Sequence, residues 1–223
     1  MTHHHHKDSE KGIRGQKNFI IAGLTSGHGI FHWFTQSFFV LLPEVEQAFG
    51  LSKVGVGAIT TTREIASGII TLPGGVIADS LKKHWGLILA LCMGFFGIGW
   101  LIIGQAPVFP LLLVGVAIIA IAASLWHLPA MASLSHHFSH RRGTALSFHG
   151  IGGNIGDAIS PVVTGFLLGY LAWREILSIY AVIPIFIAFL VFWAFKNIGQ
   201  TNEHKDSSEK ISQSEQTRLA LKN

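Results

Sequence analysis

Charge and cysteine are scarce in this sequence of 223 residues. Only 13% of the side chains are charged, against about 25% in an ordinary soluble domain, while 49% are apolar and mean hydropathy is +0.47. Such a chain is not disordered, and it is poorly suited to water. Its one cysteine, Cys92, lies within an apolar run, which excludes a disulfide framework and a cysteine-bound zinc inside the chain. Lys and Arg exceed Asp and Glu by only 16 to 12, so no nucleic-acid partner is expected.

Long apolar runs take the place of charge. Six of them, at 19–42, 52–78, 86–104, 108–134, 143–171 and 173–195, match the roughly 20 residues that a helix rising ~1.5 Å per residue needs to cross ~30 Å of hydrocarbon. The expected fold is all-α: a polytopic membrane domain of six transmembrane helices at 19–196, between an N-terminal tail at 1–18 and a C-terminal tail at 197–223. The Ser, Lys, Glu and Gln of the latter cannot offset the entropy of ordering, which predicts disorder. The first run is longer than the ~7–15 residues of a signal-peptide core and has no small-residue cleavage site before Pro43, so it is expected to stay as an anchor. His3 to His6 read as a tag or a low-complexity metal-binding tract without a physiological role.

Basic residues sort to one side. Lys82 and Lys83 follow the second run, Arg141 and Arg142 precede the fifth, and the two tails hold the rest, apart from Lys53, Arg174 and the mid-span Arg63. Because basic loops stay inside, both termini are expected in the cytoplasm of a plasma-membrane protein.

Polar groups at depth then distinguish the runs. The first carries His28, His32 and Gln36, the second Arg63 and Glu64, the fourth Ser124 and His127, the fifth His149, Asn154 and Asp157, whereas the third and sixth carry no Asp, Glu, Lys, Arg or His between Leu87 and Ile103 or between Ile176 and Phe195. An ionised group in hydrocarbon costs at least ~2.5–3.5 kcal/mol, so these residues must face protein or a water-filled cavity. Runs one, two, four and five are therefore expected to line that cavity, with three and six facing lipid. Two lining helices and one lipid-facing helix, twice over, form the 3+3 pattern of an inverted repeat. His28, His32, Arg63 and Glu64 are expected near mid-depth, with His127 and His149 about two turns in from the cytoplasmic side. Gly152, Gly156 and Ser160 recur every fourth residue, a small-residue face for close helix packing.

Several stretches resemble a known family. Gly75-Val-Ile-Ala-Asp79-Ser-Leu-Lys-Lys83 is similar to the G-x-x-x-D-x-x-x-R/K loop between the second and third helices of the major facilitator superfamily (MFS). Trp126-His127-Leu-Pro129, and Arg142-Gly143-x-Ala145 leading into Gly152-Gly153-Asn154-x-Gly156, resemble the fosmidomycin-resistance-type drug-efflux members. The likeness covers residues 19–196. It implies twelve helices in two halves that work by alternating access, with this chain as the first half. A second six-helix unit is then required, as a homodimer partner or a separate C-terminal half. The resemblance also implies that Asp79 latches onto that second half, with Gly75 permitting close backbone approach and Lys82 and Lys83 meeting lipid phosphate or a carboxylate; enforcement of topology alone is the other reading of the two lysines. One departure from the antiporter-type pattern is Ser160, where a glycine would precede Pro161.

The expected activity is secondary active transport: proton-coupled movement or efflux of a small polar or anionic organic solute, with membrane lipid around it. Substrate contacts are assigned to His28, His32, Gln36, Arg63, His127 and Asn154, and proton coupling to Glu64, Asp157 and His149. Asp157 either carries the coupling proton or is a fixed partner of Arg63. Arg63 and Glu64 point ~100° apart on a helix, and are either an anion-binding arginine beside an acidic gate or members of interhelical ion pairs. No cofactor and no metal site is expected. A six-helix membrane cytochrome using His127 and His149, and a non-transporting fragment of a split gene, are the alternatives. A rhomboid-type protease is excluded because Ser67 stands in Ile-Ala-Ser-Gly rather than in G-x-S-G.

Overall fold

A computed structural model describes residues 12–199. Most of both predicted tails, and His3 to His6, lie outside the described residues. Seven α-helices follow one another: α1 Lys17–Phe49, α2 Lys53–Thr71, α3 Gly74–Ser80, α4 Trp85–Gln105, α5 Phe109–His137, α6 Arg142–Leu168 and α7 Trp173–Phe195.

Two expected boundaries are corrected. The first helix does not stop at residue 42 but continues through Pro43 to Phe49, so most of the expected acidic loop is helical. Leu41 and Val45 are both fully buried, and that packing offsets the backbone hydrogen bond that an internal proline removes. The helix stops at Gly50, whose φ of 59° places it in the left-handed region where a glycine carries no steric penalty. The second run is two helices, broken at Leu72 and Pro73, because Pro73 has no N–H to bond back into the preceding turn.

Among the described residues four helices are long and apolar enough to cross a membrane by composition: α4 and α6, each with its preceding turn, and α5 and α7. The polar stripe of α1 and the threonines of α2 dilute their hydropathy. The protein is an all-α membrane protein with several long apolar helices.

In the bundle α1 packs along α6, α4 along α7, and α5 against α4 and α2. Phe31, Phe34 and Phe38 of α1, Met93, Phe96 and Trp100 of α4, Trp126 of α5 and Tyr180 of α7 form the buried core. The third run presents an outward apolar stripe at Leu87, Leu91, Phe95 and Ile98, as a lipid-facing helix does, while its other face packs closely enough to make it the most buried of the four apolar spans. Apolar side chains serve lipid and helix interfaces equally, and glycines open this one: a Cβ on Gly97 would meet the carbonyl oxygen of Ala181 on α7. Against α1, a Cβ on Gly152 would fall on the Thr25 carbonyl oxygen and one on Gly156 on that of Gly29. The predicted small-residue face is thus where α6 meets α1, and Ser160 Oγ adds a 2.8 Å hydrogen bond to Ser37 Oγ.

Candidate functional site

Histidines far apart in sequence meet inside this bundle. His28 and His32 stand one turn apart on α1, His127 comes from α5, and His149 and Asp157 come from α6. Gly153 makes room for them, since a Cβ there would press on the rings of both His28 and His32. The His28 ring stacks on that of His149 at 4.0 Å with an interplanar angle of 7°. His127 approaches His28 edge-on at 4.8 Å, and His32 does so at 4.4 Å. His28 and His149 are buried, and His127 is half-buried.

Hydrogen bonds fix these rings. His28 Nδ1–H donates to the His149 carbonyl at 2.7 Å, and His127 Nδ1–H donates to the Ala123 carbonyl at 2.6 Å. Their Nε2 atoms then face each other at 3.0 Å. One turn along α1, His32 Nδ1–H donates to Asp157 Oδ2 at 3.0 Å, and both side chains are partly exposed, at 37% and 43%.

The expected difference in depth between the α1 histidines and His127 or His149 is therefore corrected for His28, which touches both rings. Asp157 meets His32 rather than Arg63. The ion-pair partner of Arg63 among the described residues is Glu64 on its own helix, at 3.9 Å, because two long side chains can bend toward each other across the ~100° between adjacent positions. The Arg63 guanidinium also lies 5.6 Å from the centre of the Phe39 ring, and with Thr35, Phe38 and Thr60 it lines a pocket between α1, α2, α4 and α5. Gln36 is half-buried one turn beyond His32, and Asn154 is exposed on α6. The expected residues thus divide into a His28, His32, His127, His149 and Asp157 group, with Gln36, Arg63, Glu64 and Asn154 outside it. His28 lies within 5 Å of both rings, so His127 and His149 do not stand as the separate facing pair that the cytochrome alternative expects.

The loop after the second run is also placed. Asp79, in the last turn of α3, and Lys83 are exposed, and the Lys82 Nζ lies 6.0 Å from the centre of the Trp85 ring. Trp85 Nε1 donates to the Ala78 carbonyl at 2.8 Å and holds the turn. Within this chain the close approach is at Gly74, where a Cβ would meet Leu128 of α5, while a Cβ on Gly75 would meet nothing within 4 Å.

Sequence reasoning missed the hydroxyl contacts. Ser67 Oγ and Ser124 Oγ join α2 to α5 at 2.6 Å. Thr164 Oγ1 donates to Ser37 Oγ at 2.9 Å and lies 3.1 Å from the Tyr180 hydroxyl, tying α1, α6 and α7. Arg174 donates to the Gly104 and Ala106 carbonyls at 2.8 and 2.9 Å, satisfying the open end of α4. Hydroxyls carry no spacing signal of their own; the small-residue period at Ser160 was the one available hint.

Polar residues thus gather between α1, α5 and α6 in a bundle of long apolar helices. Residues 24–223 match the model of the Major Facilitator Superfamily. The chain belongs to that superfamily. It is 27% identical over 183 residues to a probable hexose phosphate transport protein of Chlamydia trachomatis, covering 82% of this chain and 40% of that protein. It is 23% identical over 178 residues to the fosmidomycin resistance protein of Escherichia coli, covering 77% and 43%. The crystal structure of a bacterial homolog of the human lysosomal transporter Spinster, inward-facing and unoccupied, shares the fold with a TM-score of 0.68 at 18% identity, covering 81% of this chain and 44% of that one. The chain spans about two-fifths of the length of the curated relatives it matches. The family match and the shared fold place the chain among MFS membrane proteins.

Proposed function

We propose that residues 19–196 form one six-helix wall of a secondary active transporter that works by alternating access and couples a small polar or anionic organic solute to protons. The observation that carries this is the His32–Asp157 hydrogen bond at 3.0 Å, set across the α1–α6 contact. While Asp157 is ionised, the charge-assisted bond holds the two helices in one relation; when Asp157 takes a proton the charge is lost and the bond weakens. A solute that favours one of the two arrangements would thereby be linked to proton movement. The neighbouring histidines, His149 among them, and Glu64 offer further proton positions.

Arg63, lining its pocket with Thr35 and Thr60, supplies the positive charge and donors that an anionic solute needs. The names of two relatives, the hexose phosphate transport protein and a glycerol-3-phosphate transporter of Bacillus subtilis, support an organic anion, and that of the fosmidomycin resistance protein supports efflux. The α1–α6, α2–α5 and α4–α7 pairings map onto one another when the first three spans are exchanged with the last three, which supports a 3+3 inverted repeat, although the close packing of α5 on α4 has no comparable counterpart between α1 and α7. Both termini are assigned to the cytoplasm of the plasma membrane by the basic loops. The second wall is a further six-helix unit, a second copy or a C-terminal half, against which Asp79 docks.

Everted membrane vesicles holding the chain provide the test. With an imposed proton gradient, glucose 6-phosphate and fosmidomycin are added as probes and proton flux is followed with a pH dye. Solute-triggered flux that disappears in Asp157→Asn at unchanged protein level is expected. Flux that keeps its gradient dependence in that variant contradicts the coupling.

A further inference from the structure

We propose that His28, His127 and His149 form a binding site for a divalent transition-metal ion of the zinc type. The ligand nitrogens of these three residues lie within 4.8 Å of one another. A carbonyl oxygen can only accept, so the bonds from His28 Nδ1 to the His149 carbonyl and from His127 Nδ1 to the Ala123 carbonyl fix the tautomer of both rings. In neutral rings each Nε2 then carries a lone pair. The two Nε2 atoms lie 3.0 Å apart, a repulsive approach of two lone pairs that is relieved when the rings part slightly and both turn toward a cation at about 2.0–2.1 Å from each.

His149 completes the set. Both of its ring nitrogens are buried without a hydrogen-bond partner among the described residues, in contact with His28 on one side and near His127 on the other. The Leu24 carbonyl lies beside the ring, outside hydrogen-bond geometry. A turn of His149 out of its stack on His28 lets one nitrogen donate to that carbonyl and frees the other to ligate. Each imidazole would then donate its second nitrogen to a backbone carbonyl, the arrangement usual for metal-bound histidine. Three neutral nitrogens select zinc, copper, nickel or cobalt over magnesium or calcium, and leave a fourth position open for water or another ligand. A bound ion would clamp α1, α5 and α6 together, independently of the transport reading.

The test uses the full chain in nanodiscs with His3, His4, His5 and His6 each replaced by serine, so that the terminal run cannot bind metal. Titration with Co²⁺ is expected to give one tetrahedral d–d spectrum per chain, removed by Zn²⁺, with X-ray absorption of the zinc form showing three nitrogen donors at about 2.0–2.1 Å. His127→Gln should abolish the spectrum. His149→Cys should retain the metal and add a thiolate-to-cobalt charge-transfer band, which a purely structural histidine could not produce. Absence of a stoichiometric spectrum, or its persistence when all three histidines are replaced, overturns the proposal. A proton shared between His28 and His127, seen by nitrogen NMR in protein without metal affinity, overturns it equally.

Discussion

Arg63 tests whether charge in an apolar helix serves a solute or the bundle. Its ion pair with Glu64 at 3.9 Å, between side chains 40% and 66% exposed, is worth little to stability, so the fold does not depend on it. Arg63→Lys keeps the charge but loses the planar fork. It should raise the half-saturating concentration of an anionic probe about tenfold, or roughly 1.4 kcal/mol. Arg63→Gln should remove solute-triggered flux while the amount of folded protein in the membrane stays constant. Loss of folded protein in both variants, measured by thermal unfolding in detergent, would assign the arginine to structure instead. At this scale the sequence made the inventory readable, because ionisable groups stand out in apolar runs. It could not reveal the partners: His32 and Asp157 are 125 residues apart, and their pairing depends on how α1 and α6 cross. The sequence turned the four histidines toward one cavity and paired His127 with His149, but it did not show that His28 touches both rings.

Among the elements, the contact between α1 and α6 has the closest backbone approach within the candidate site, and two glycines of similar sequence setting separate packing from exposure. Gly156→Leu would drive a side chain into the Gly29 carbonyl, and overpacking of this kind costs ~1–3 kcal/mol or more. Gly165→Leu on the same helix has nothing within 4 Å of its Cβ position and should leave stability nearly unchanged. A thermal scan of the two variants should show a lowered midpoint for the first alone; equal midpoints would contradict the packing described. The small-residue period exposed this face in advance, but proline misled twice in opposite ways. Pro43 sits inside a helix because buried neighbours hold the chain straight, while Pro73, followed by Gly74 and Gly75, breaks one. Only tertiary packing separates the two cases. The third run, read as lipid-facing for lack of charge, has an exposed apolar stripe, but its lack of charge did not show that Gly97 and Gly104 bring its other face against α7.

For the whole molecule, hydropathy and loop charge were enough to anticipate an all-α membrane bundle, since the bilayer fixes span length and backbone pairing. Composition alone singles out four of the spans; α1 and α2 are diluted by the very residues that make the interior polar. The α6 face holding Ser147, Asn154, Ala158 and Gly165 is exposed, opposite the face that meets α1, and it is where a second six-helix unit would complete a solute pathway. Alternating access predicts that Asn154 reaches water from each side of the membrane in turn. The direct measurement is labelling of Asn154→Cys, in a chain also carrying Cys92→Ser, with an impermeant thiol reagent in sealed vesicles of both orientations, with and without a proton gradient. Labelling from one side should rise as that from the other falls when the gradient is imposed. Labelling that is confined to one side and indifferent to the gradient would contradict the account.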